Sequence, residues 1–172
     1  MSGDGRPRVL AVDDEPNVAK AYAIYLGDGY EVETAIDGET ALAALDDSFD
    51  VVLLDRRMPD LSGDEVLREL RERGHDCQVA MVTAVDPQLD VLEMDFDTYL
   101  TKPVTRDDLV EAVDRLVEVS EYGETTRERF RLAQKRATIE AETDPADLEA
   151  SDEYGALLDR LAELNEQLRE TA

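Results

Sequence analysis

The sequence holds one cysteine, one histidine and no tryptophan in 172 residues. A single thiol, Cys77, excludes a disulfide framework and a thiolate metal cage. The single histidine, His75, follows "RERG" and reads as a loop feature, because nucleophile–base chemistry needs a supported pair. No run of about 18 apolar residues is present, so no membrane span is expected. The opening "MSGDGRPR" lacks the apolar stretch of a secretory signal. The reading is a soluble, cytoplasmic protein with no membrane partner.

Lysine is scarce. Only Lys20, Lys102 and Lys135 occur, and 43 acidic residues face 18 basic ones, for a net charge of −25. Such self-repulsion is tolerable when salt screens it; at molar salt the Debye length is about 3 Å. An acidic, lysine-poor surface is that of a salt-in halophile. It argues against broad nucleic-acid binding but leaves room for a local basic patch.

What the chain does have is alternation. "RVLAVDD", "YEVETA", "DVVLLD", "QVAMVTA" and "TYLTKP" read as strands, three of them continuously apolar. Between them lie helical patterns: "PNVAKAYAIYL" behind Pro16, "DGETALAALDD", "SGDEVLRELRERG" and, at best short, "DPQLDVLEM". A fifth, "TRDDLVEAVDRLVEVS", carries Thr105 as its N-cap. Five buried strands alternating with five helices predict an α/β fold with a doubly wound, five-stranded parallel sheet covered on both faces. The domains expected are a flexible N-terminus at 1–6, the α/β domain at 7–120 and a helical tail at 121–172.

In such sheets the ligand site lies beyond the carboxyl ends of the strands. The polar residues at those ends are Asp13 and Asp14 after the first strand, Asp55 after the third, Thr83 on the fourth and Lys102 after the fifth. Clustered carboxylates repel one another and invite a divalent cation such as Mg²⁺. An ammonium and a hydroxyl suit the oxygens of a transferred phosphoryl group, and an aspartate can accept that group. A dehalogenase-type phosphatase also uses an aspartate nucleophile on an α/β sheet. It places a second aspartate two residues on, where this chain has Arg57, and that reading is discarded.

The motifs "VLAVDDEP", "VVLLDRRMPDLSG", "MVTA" and "YLTKP", in this order, resemble the receiver domain of two-component response regulators, a flavodoxin-like fold. The resemblance implies that Asp55 is the phosphoacceptor for a sensor histidine kinase. It implies that Asp14, Asp55 and the backbone carbonyl of Arg57 bind Mg²⁺, with Asp13 supporting the metal through its waters. It further implies that Thr83 and Lys102 contact the phosphoryl group, that Tyr99 is the aromatic switch partner of Thr83, and that the bond before Pro103 is cis. Such a protein is not an enzyme beyond its own phosphotransfer and slow autodephosphorylation. Two departures stand out: Lys102 comes only 19 positions after Thr83, which shortens the fourth helix and puts the signalling surface in question. Arg57 places a bulky cation over the acceptor, to salt-bridge the site or to slow attacking water.

The tail resembles the HalX domain of haloarchaeal response regulators, on "TTRERFRLAQKRATIEAE" and "YGALLDRLAELNEQL". Two helices with a polar connector predict an α-helical hairpin, packed on itself, on the receiver or in a homodimer. Arg127, Arg131 and Lys135, spaced by four, share one side of the first helix. One reading pairs them with acids of the second helix, through Glu153, Asp159, Glu163 or Glu166. The other makes them a nucleic-acid contact. Accordingly the output is either transcription control through DNA or the transcription machinery, or a protein-only relay.

Overall fold

In a computed structural model, described here for residues 5–171, the elements of the α/β domain follow in alternation. They are β1 (Arg8–Val12), α1 (Pro16–Leu26), β2 (Glu31–Ala35), α2 (Gly38–Ala44), β3 (Val51–Leu54), α3 (Gly63–Glu72), β4 (Gln78–Thr83), β5 (Thr98–Thr101) and α4 (Arg106–Ser120). All five strands are parallel, in the order β2-β1-β3-β4-β5. Residues 1–4 of the N-terminal segment expected to be flexible lie outside the described residues.

Every residue of β3 and β4 is buried, as strands covered on both faces must be. Leu10, Val12, Val52, Leu54, Val79 and Met81 point to one face, under α2 and α3. Val9, Ala11, Val51, Leu53, Ala80 and Val82 point to the other, under α1 and α4. Helix starts follow local chemistry. Ser62 and Glu65 form a reciprocal capping box on α3, Thr105 caps α4, and Pro16 opens α1.

The connection from β4 to β5, expected to hold at best a short helix, holds a 3₁₀ turn, Leu89–Glu93. Pro87 and the shortness of the segment leave no length for a packed helix. The tail fills the space. Helix α5 (Glu124–Glu142) runs along the β5 edge and is followed by a short α6 (Pro145–Glu149) and by α7 (Asp152–Thr171). Phe130 of α5 packs against one face's cluster and Ile139 is fully buried in the other, so α5 straddles the outermost strand. A sheet edge is thereby covered from within the chain. The hairpin is antiparallel: Glu128 pairs with Arg160 and Glu140 with Tyr154. Short α6 takes the place of the expected open connector.

Candidate functional site

Register explains why the acids meet. Val12 lies beside Leu54 in neighbouring strands, so Asp13 and Asp55 leave the sheet at the same level, and the Asp55 N–H donates to the Val12 carbonyl at 3.2 Å. Thr83 is paired with Thr101, so Lys102 follows at the same end. The Lys102 Nζ donates to Asp13 Oδ2 at 2.7 Å and to Asp55 Oδ2 at 2.9 Å. Burial works against the Lys102 ammonium, but these two hydrogen bonds outweigh it and hold its pKa above the usual lysine value. The peptide bond between Lys102 and Pro103 is cis.

Asp13 and Asp55 are buried, and Asp14 is the least covered of the three. Carboxylate oxygens of Asp13, Asp14 and Asp55 lie within 4.8 Å of one another. That donor set fits one hard divalent cation, which takes oxygen ligands at about 2.0–2.6 Å. The Arg57 N–H donates to Asp55 Oδ1 at 3.3 Å, while its side chain points to solvent and makes no ion pair among the described residues. Of the two roles open to Arg57, a salt bridge across the pocket is not formed.

Gly63 sets the pocket's floor. Its N–H donates to the Arg56 carbonyl at 2.8 Å, and a Cβ there would sit 1.9 Å from the Asp55 carbonyl oxygen. That atom is backbone and cannot rotate away. Gly63→Ala is expected to push α3 off the acceptor loop, at about 1–3 kcal/mol of stability, and to weaken divalent-cation binding. Thermal melts and cation titration of the variant check both.

Thr83 is fully buried, and its Oγ1 accepts from the Val85 N–H at 3.2 Å. The Tyr99 hydroxyl donates to the Val85 carbonyl. Tyr99 is turned inward, edge-on to Phe96 with ring centroids 5.7 Å apart. Sequence reasoning passed over Arg56, the neighbour of the acceptor. It is 8% exposed and donates to Asp64, Asp90 and Tyr99. An arginine directly after the acceptor, one residue beyond a wholly apolar strand, was the available signal.

The basic row of the tail lies where neither reading put it. Arg131 Nε donates to Asp97 at 3.1 Å, with a second bond to Asp95 at 3.2 Å; Arg127 donates to the Asp76 carbonyl at 3.3 Å; Lys135 stands over the Phe96 ring at 5.3 Å. The three side chains turn onto the receiver. They also do not pair with α7. For Arg131 the physical cause is local charge: the carboxylates of Asp95 and Asp97 lie opposite, beside the short turn that left this flank open.

Lys135 is 6% exposed and makes no hydrogen bond or ion pair among the described residues. Burial holds its pKa below the usual lysine value. Unfolded chain therefore keeps this proton at pH values where folded chain has lost it, and native stability rises with pH from the depressed value towards 10.5. Lys135→Met is expected to stabilise the protein by on the order of 1 kcal/mol below that window. The gain shrinks as pH climbs through it, which paired melts at rising pH would show.

Comparison with known proteins agrees with this geometry. The model of the response regulator receiver domain matches residues 9–114, and that of the HalX domain matches residues 118–172. A Haloferax volcanii protein named "Putative transcriptional regulator" is 49% identical over 152 residues, 88% of this chain and 25% of its own length. The regulator CpxR of Klebsiella pneumoniae is 39% identical over 121 residues, 68% of this chain and 52% of its own. The chain thus spans a quarter to about half of these curated relatives. Among solved structures, a CheY-like receiver from Methanospirillum hungatei is 30% identical with a TM-score of 0.63, covering 69% of this chain and all (100%) of that one. The Thermotoga maritima regulator TrrA, solved with Mg²⁺ and beryllofluoride, is 36% identical with a TM-score of 0.55, over 64% of this chain and 98% of its own. No helix among the described residues is long and apolar enough to cross a membrane. With an aspartate-lined pocket at the end of a β2-β1-β3-β4-β5 sheet and both family models matched, the chain belongs to the response regulator receiver family and carries a HalX domain directly behind its receiver.

Proposed function

We propose that this protein takes a phosphoryl group from a sensor histidine kinase onto Asp55, and that its C-terminal hairpin reports the state of Asp55 in transcription regulation. The supporting observation is the convergence of Asp13, Asp14, Asp55, Thr83 and Lys102 at one end of one sheet. In the transfer an Asp55 carboxylate oxygen bonds to phosphorus while the phosphorus–nitrogen bond of the donor phosphohistidine breaks. The electron pair returns to the imidazole nitrogen. Lys102 then moves from the free carboxylate to a phosphoryl oxygen, and Thr83 turns its hydroxyl to another. Lys102 neutralises charge where it builds up, and the Thr83 hydroxyl stabilises it with a donated hydrogen bond. Asp14, Asp55 and the Arg57 carbonyl would hold Mg²⁺, with Asp13 supporting it through its waters, and the ion would supply further neutralisation of the phosphoryl oxygens. The chain converts no other substrate: its chemistry is its own phosphorylation and slow hydrolysis of the aspartyl phosphate, in the cytoplasm.

Two outputs follow from what surrounds α5. The relatives' names favour DNA as the final target. The inward row favours a protein target, or a second copy of the chain, because Arg127, Arg131 and Lys135 are engaged with the receiver in this arrangement. The test uses full-length protein in molar KCl with sheared genomic DNA, with and without Mg²⁺ and beryllofluoride. Discrete fragments enriched with the phosphoryl mimic support control through DNA. No enrichment in either state leaves the protein-only output. Failure of acetyl phosphate with Mg²⁺ to add one phosphoryl group per chain would overturn the phosphoacceptor reading itself.

A further inference from the structure

Arg56 has more partners than a surface arginine needs. Its Nε and Nη2 donate to the two oxygens of Asp64, both at 3.0 Å, and Nη2 also reaches Asp90 Oδ2 at 2.7 Å. Nη1 donates to the Tyr99 hydroxyl at 3.4 Å, and the Arg56 carbonyl accepts from Gly63. A planar fork with five donors can hold this set; an ammonium cannot. The partners sit on different elements. Asp64 is in the first turn of α3, Tyr99 is on β5, and Asp90 belongs to the 3₁₀ turn Leu89–Glu93.

Those partners join two ends of the molecule. From Tyr99 a hydrogen bond runs to the Val85 carbonyl, and from the Val85 N–H another runs to Thr83 Oγ1. From Asp90 the path enters the turn, which packs directly against α5 and α7. Leu89, Leu92 and Met94 of this segment share one apolar cluster with Ile139, Leu148 and Tyr154 of the tail. A hydroxyl that must turn towards a phosphoryl group, and a turn that carries the tail, are thus held by the same guanidinium.

We infer that Arg56 is a positioning residue that couples the acceptor pocket to the C-terminal hairpin, by fixing the Leu89–Glu93 turn through Asp90 in a way that depends on Tyr99 and Thr83. The inference rests on the phosphoacceptor reading above. When Thr83 leaves the Val85 N–H, Val85 and Tyr99 shift, the Tyr99 contact to Arg56 changes, and the Asp90 anchor and the packing of α5 and α7 change with it. The mechanism needs a single bistable element, the turn, whose position both ends bias.

The test follows hydrogen exchange of the full chain over residues 89–93 and 124–171 in molar KCl, with and without Mg²⁺ and beryllofluoride. Fluorine NMR on the same samples reports occupancy of the pocket. The readout is the ratio of exchange rates between the two states. A merely structural pin would change both states alike and leave the ratio alone. Wild type is expected to give a ratio within about 5–150-fold, the usual span of coupling between sites. Arg56→Lys, which keeps the charge and loses the fork, is expected to bring the ratio close to one. Asp90→Asn cuts only the exposed leg of the network and is expected to do the same with occupancy unchanged, which keeps the test sound should Arg56→Lys unfold. A wild-type ratio retained in the folded variants overturns the coupling role, as does a wild-type ratio of one in an occupied pocket. A wild-type pocket that never binds the mimic overturns the phosphoacceptor reading and this inference together.

Discussion

Asp97→Ala is expected to cost about 3–5 kcal/mol, the penalty for removing a buried carboxylate that pairs two partly buried arginines. Asp97 is 2% exposed and serves three elements. Its Oδ2 accepts from the Val79 N–H at 2.7 Å and from Arg71 Nη2 at 3.1 Å, while Oδ1 accepts from Arg131 Nε at 3.1 Å. Alanine leaves a buried β4 N–H without its side-chain acceptor and two guanidiniums facing each other. Arg71 keeps the His75 and Cys77 carbonyls and so stays in place; Arg131 retains only Asp95, which is half-exposed. The loss therefore falls on the docking of α5. For a chain of this size each kcal/mol moves the melting temperature by roughly 2–4 °C, so a drop on the order of 10 °C is expected, with faster proteolysis within 124–171. Molar salt should not erase the effect, because a buried pair is screened far less than a surface one. A variant that melts within about 2 °C of wild type would show that the hairpin is held by its apolar contacts alone.

The same node marks where sequence stops being informative. Strand ends were legible because continuous apolar runs that stop at Asp13, Asp55 and Thr83 leave one arrangement in which a parallel sheet can bury them. Helix starts were legible because Pro16, Ser62 and Thr105 act on their own next turn. The seating of α5 was not. Its contacts join residues far apart in sequence, Arg131 to Asp97 and Gln134 to Thr98, and the charges of the row suited an acidic partner helix equally well. The missing helix between β4 and β5 was visible as a shortage of residues, yet not as a vacancy for α5. Arg56 was overlooked for a related reason: an arginine beside the acceptor reads as surface until Asp64, Asp90 and Tyr99 are found around it.

Asp55→Asn is expected to lower labelling by acetyl phosphate and Mg²⁺ by at least about 10³-fold, as loss of an essential nucleophile does. Asparagine has the shape of aspartate but offers no carboxylate oxygen for the new bond to phosphorus. The fold should survive. Asp55 belongs to a cluster of three carboxylates facing one lysine, and Lys102 keeps its 2.7 Å bond to Asp13 when Asp55 is neutralised. Removing one of three like charges relieves repulsion, so the variant's melting temperature should equal or exceed that of wild type when no divalent cation is bound. The two measurements together separate chemistry from folding. Lost labelling with retained stability assigns the reaction to this carboxylate. Labelling that persists, mapped by mass spectrometry to Asp13 or Asp14, would move the acceptor to the first strand. The Lys102 bond to Asp55 would then be a charge pair supporting that site rather than the reacting centre.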